Sequence, residues 1–85
     1  MRDTAYAREL ATANLPSGDS EVRIERLFVK EFQQDEIRFS WWKGDKMMMR
    51  PLDLPEDELL ELFQLAIAKR VFKPGFLRRL KEILP

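Results

Sequence analysis

Ile37-Arg-Phe-Ser-Trp-Trp-Lys-Gly-Asp-Lys-Met-Met-Met-Arg-Pro-Leu-Asp-Leu54 is the stretch that decides how this chain folds. It contains both tryptophans and three of the four methionines. Gly44-Asp45 suits a two-residue hairpin turn, with glycine supplying a positive φ at the first position. A strand from Ile37 to Lys43 then returns as a strand from Lys46 to Pro51. The register opposes Trp42 to Met47, Trp41 to Met48, Ser40 to Met49 and Phe39 to Arg50. Side chains alternate between faces. One face therefore carries Ile37, Phe39, Trp41, Met48 and Leu52, and the other Arg38, Ser40, Trp42, Met47 and Met49. Lys43 opposite Lys46 is a mild repulsion.

Downstream, Pro51 belongs at the end of an edge strand. Asp53-Leu-Pro-Glu56 reads as a helix start. Asp53 stands three before Glu56 as in a capping box, and Pro55 lies where a missing N–H costs nothing. The helix runs to about Arg70 on an apolar stripe of Leu59, Leu62, Phe63, Ala66 and Ile67. Acids at its start (Glu56, Asp57, Glu58) and bases at its end (Lys69, Arg70) match the helix dipole. Pro74 opens a last helix to Leu84, with Phe76, Leu77, Leu80, Ile83 and Leu84 on one side. The two helices are expected to form an αα-hairpin.

Upstream, Gln33 to Glu36 is a polar turn, and Glu21 to Phe32 reads as the first strand. Neither of its faces is cleanly apolar, because Arg26 and Lys30 interrupt the parity of Val22, Ile24, Phe28 and Phe32. Either long basic stems pass a buried edge, or a β-bulge near Arg26 switches the faces. Pro16 to Ser20 is a turn or linker. Asp3 to Leu15 is rich in alanine and reads as a helix, with a narrow stripe of Tyr6, Leu10 and Ala13. The expected architecture is α+β in the order α-β-β-β-α-α: an N-terminal helix, a three-stranded antiparallel meander and a C-terminal αα-hairpin on one sheet face. It forms one domain over residues 1–85, with residues 1–20 a loosely docked helix and linker.

Composition narrows the chemistry. The 85 residues are 45% hydrophobic and 35% charged, as in a folded globular chain. Fifteen basic residues balance fifteen acidic ones, which argues against a dedicated polyanion binder. Without cysteine there is no thiolate nucleophile or Cys-bound zinc, and without histidine the commonest general base and metal ligand are missing. Three glycines cannot build a Gly-rich phosphate loop. No cofactor, metal or enzymatic activity is expected. Neither a signal peptide nor a membrane-length apolar run is visible, and the cytoplasm is the expected compartment.

Three groups of residues are candidates for function. The acidic run Asp53, Glu56, Asp57 and Glu58 is explained by the helix start. The bases Lys43, Lys46, Arg50, Lys69, Arg70, Lys73, Arg78 and Arg79, with the hairpin aromatics, form an alternative nucleic-acid-binding set of the stacking-platform kind. The leading set is the face of Trp42, Met47 and Met49, extended by Leu27 and Val29 and rimmed by Arg38. If solvated, each of its large side chains forgoes about 2 kcal/mol of burial. Either the N-terminal helix covers it, through Tyr6 and Leu10, or a second molecule does, or the face is partly exposed or binds a small ligand. The expected function is therefore that of a protein–protein interaction or self-association module, with a homodimer or protein partner at that face.

Overall fold

The computed structural model describes residues 2–85, and the side chains of all of them except residues 49–51. Its elements are β1 (Ala7–Ser17), β2 (Ser20–Val29), β3 (Gln34–Lys43), β4 (Lys46–Leu54), α1 (Glu56–Ala68) and α2 (Pro74–Ile83). The four strands form one antiparallel sheet in the order β1-β2-β3-β4, curled into a half-barrel. An isolated bridge between Asp3 and Arg8 folds the first residues back along the edge of β1.

The expected N-terminal helix is corrected to a strand, so the order is β-β-β-β-α-α. The alanines of residues 5–13 favour helix only weakly, and tertiary pairing overrides such a preference. Here β1 pairs with β2 along its length, from Ala7 opposite Val29 to Ser17 opposite Ser20. The turn between them is Gly18-Asp19, with Gly18 at φ 61°, a geometry shared with Gly44 at φ 57° in the second hairpin. Strand rather than helix and linker thus occupies Ala7–Ser17.

The bulge sought in the strand around Arg26 sits in its neighbour instead. β1 slips between Glu9 and Ala11, while Arg26 keeps its parity and forms ion pairs with Asp35 and Glu56. The second hairpin keeps Trp42 opposite Met47 and Trp41 opposite Met48, but then slips, so that Phe39 opposes Leu52 rather than Arg50. Phe39 opposite Arg50 is therefore not the pairing; Ser40 opposite Met49 lies outside the described residues, as do the side chains of Met49 and Arg50.

The two faces of the sheet differ in chemistry. The inner face carries Ala7, Glu9, Glu25, Leu27, Val29, Glu36, Arg38, Ser40 and Trp42, all buried. The outer face carries Leu15, Val22, Ile24, Phe39, Trp41 and Leu52, all exposed. Of the outer-face strand residues, Ile37 is the one that reaches burial.

The capping box is also corrected. Pro55 is the N-cap of α1 and offers no side-chain bond, while Asp53 remains in β4 opposite Arg38. α2 begins with Pro74 in its first turn, and Phe63, Phe72 and Phe76 stack to join the helices, with ring centroids 4.9 and 5.0 Å apart. Neither helix contributes a buried residue. Among the described residues, the helical hairpin thus touches the sheet chiefly where α1 meets β3 and at the Arg26–Glu56 ion pair, and does not cover the sheet face as expected.

This leaves much surface in water. A compact chain of 10.1 kDa exposes about 5,300 Å², whereas this one exposes 6998 Å². Its radius of gyration is 14.6 Å, against about 12 Å for a compact domain of this length.

Candidate functional site

The inner face is organised by a relay of polar side chains. The Trp42 indole N–H donates to Ser40 Oγ at 2.8 Å, and the Ser40 hydroxyl donates to Glu25 Oε1 at 2.6 Å. Arg38 donates to both oxygens of Glu25, at 2.9 and 2.7 Å. The register causes this arrangement: Glu25 and Arg38 are directly opposed on β2 and β3, and Ser40 and Trp42 follow at two-residue steps on the same face.

Electrostatics follow the geometry. Burial on its own raises the Glu25 carboxyl, but its hydrogen-bonding neighbours Arg38, Glu9 and Ser40 outweigh that and hold it at about 2. Burial works against the charge on Arg38, yet the bond to Glu25 keeps it above its ordinary value, with Asp53 and Glu9 contributing.

The chain's first residues turn back at Thr4–Ala7 and bring Arg2 to this face. The guanidiniums of Arg2 and Arg23 lie against the Trp42 ring, 4.8 and 4.2 Å from its centroid. The Tyr6 hydroxyl donates to Asp53 Oδ2 at 2.6 Å. That bond, with partial burial, pushes the phenol up to about 12. Between this strap and the sheet lies a cavity of about 420 Å³, lined by Thr4, Tyr6, Glu9, Leu27, Arg38, Met47 and Asp53 among others. Glu9 Oε1 and Asp53 Oδ1 are buried without a hydrogen-bond partner.

The leading candidate residues are therefore gathered, but inward. Trp42 is 2% exposed, Leu27 1% and Val29 0%; Arg38 is buried and Met47 half-buried at the cavity wall. The cover asked for by Trp42 is supplied in the chain itself by Arg2 and Arg23, while Tyr6 rests on Asp53. The uncovered face is the opposite one, expected to be core: Trp41 is 40% exposed and Phe39 45%. The alternative basic set is spread over three places. Lys43 and Lys46 flank the β3–β4 turn, Lys69, Arg70 and Lys73 surround the connection between helices, and Arg78 and Arg79 lie on α2.

The sequence pattern places Ser40 on this face and Tyr6 over it, but gives Glu9, Glu25 and Asp53 no part in it. Strand parity alone puts Glu25 with Leu27 and Ser40 with Trp42. What it lacks is the pairing of β2 with β3 that brings Glu25 to Arg38.

Among the described residues, no group of three or more His, Cys, Asp or Glu side chains is placed to hold a metal ion. Among the described residues, no helix is long and apolar enough to cross a membrane. Comparison with protein-family models, curated proteins and solved structures finds no match to the chain.

Proposed function

We propose that the chain is a non-enzymatic self-association module whose partner is a second copy of itself. The contact is made by the outer sheet face of Val22, Ile24, Phe39 and Trp41 together with the apolar stripe of the helices. The observation that carries this is the surface surplus: roughly 1,700 Å² more is exposed than a compact chain of this mass leaves in water. Two copies each burying that much reach the range of obligate homodimers, about 2,000–5,000 Å² in total.

A second copy fits for two further reasons. The same chain presents an open apolar sheet face and an open helical stripe, including Leu62, Leu65, Phe76 and Ile83. A two-fold arrangement lays the stripe of each copy on the sheet of the other and covers both surfaces twice. Zero net charge leaves no self-repulsion to oppose it.

Tryptophan emission tests the reading. With Trp42→Phe, the remaining Trp41 reports on the outer face. Its emission is expected to shift to the blue and its acrylamide quenching to fall as concentration rises from nanomolar to micromolar. Emission and quenching of Trp41 typical of an exposed indole at every concentration contradict the proposal.

A further inference from the structure

The cavity under the N-terminal strap is lined by apolar, acidic and basic groups, and two of its carboxylate oxygens find no partner in the chain. Ala7, Leu27 and Met47 supply apolar wall, and Glu9 and Asp53 supply carboxylates. Glu9 is nine-tenths buried and borders the cavity, and its Oε1 has no donor; Asp53 Oδ1 is buried and equally without one. Buried carboxylate oxygens are rarely left unpaired, since each forgoes the hydrogen bonds it would make with water.

Two cations border the cavity, Arg38 held by two bonds to Glu25 and Arg2 with its guanidinium over the Trp42 ring. Neither donates to Glu9 Oε1 or Asp53 Oδ1, and those two open valences are acceptors. At about 420 Å³ the space is that of a small-ligand site.

We infer that this cavity is a binding site for a guanidinium or primary ammonium group on a short aliphatic stem, with the head group donating to Glu9 and Asp53 and the stem lying against Leu27 and Met47. The head group arrives either on a free amine or as an arginine or lysine side chain of a protein. A guanidinium has five donors in a planar fork, enough for both acceptors at once.

The test is an amide-shift titration of the full chain with 1-propylguanidinium chloride, n-butylammonium chloride, 1-propanol and sodium propanesulfonate. Acetyl-Gly-Arg-Gly-amide provides the side-chain arm. Saturable shifts at Ala7, Leu27 and Met47 with the cations, but not with the alcohol or the sulfonate, are expected. Glu9→Gln is expected to weaken binding at least tenfold. Should that variant fold poorly, Asp53→Ala carries the same expectation. Tighter binding of the peptide than of propylguanidinium assigns the site to a protein side chain, and the reverse order to a free amine. Either result supports the inference. Equal binding of the alcohol, preference for the sulfonate, or no saturable shift at these residues overturns it.

Discussion

Glu25 and Arg38 face each other across β2 and β3 and close a two-bond ion pair, at 2.9 and 2.7 Å, within the inner face of the sheet. Only 1% of Glu25 is exposed, so removing either partner strands a buried charge. Arg38→Met is expected to cost about 3–5 kcal/mol in urea unfolding. The double change Glu25→Leu with Arg38→Met is expected to recover much of that loss, because no lone charge remains. A double variant as unstable as Arg38→Met alone contradicts this account of the pair.

The same carboxylate sets an acid limit. Glu25 ionises at about 2 in the folded chain against an ordinary 4.5. A depressed carboxyl contributes stability that is fully present above the ordinary value and is lost as pH falls toward the folded one. The unfolding free energy is therefore expected to drop by about 3 kcal/mol between roughly pH 5 and pH 2 from this group. Denaturant midpoints measured across that range check it, with Glu25→Gln giving a visibly shallower decline.

Tyr6 is the only tyrosine in the chain, so its ionisation is directly readable by ultraviolet absorbance. Its hydroxyl donates to Asp53, and the phenol is expected to titrate at about 12 instead of 10. Because the folded value is raised, the associated stability is present below pH 10 and fades as pH rises toward 12. Asp53→Ala is expected to return the titration toward 10. A normal titration in the unaltered chain means that the N-terminal strap does not rest on β4.

Gly18 makes the first hairpin at φ 61°, with nothing within 4 Å of an added Cβ. Gly18→Ala is therefore opposed by backbone strain alone, at about 1 kcal/mol, and Gly18→Asn by less. Thermal unfolding of the two variants checks the order. Equal midpoints for all three chains argue against a left-handed residue at this turn.

Legibility followed the strength of the local signals. The second hairpin was readable because Gly44-Asp45 sits between long apolar runs, and its split into a Trp41 face and a Trp42 face holds. The first hairpin uses the same dipeptide at Gly18-Asp19, but β1 supplies small and polar residues (Ala11, Thr12, Ala13, Asn14) that imitate a helix. Pairing to β2, invisible in the local pattern, settles the matter. Which face is inner was misjudged for a related reason. Apolar count favours Ile37, Phe39 and Trp41, whereas the buried face is built on the polar relay from Trp42 to Arg38, which exists only once β2 and β3 are paired.

Sedimentation equilibrium of the full chain tests the central claim most directly. Self-association through the outer face predicts a mass near twice the 10.1 kDa of the chain at micromolar concentration, falling toward that of one chain for Trp41→Ser. A single-chain mass that persists at millimolar concentration contradicts it.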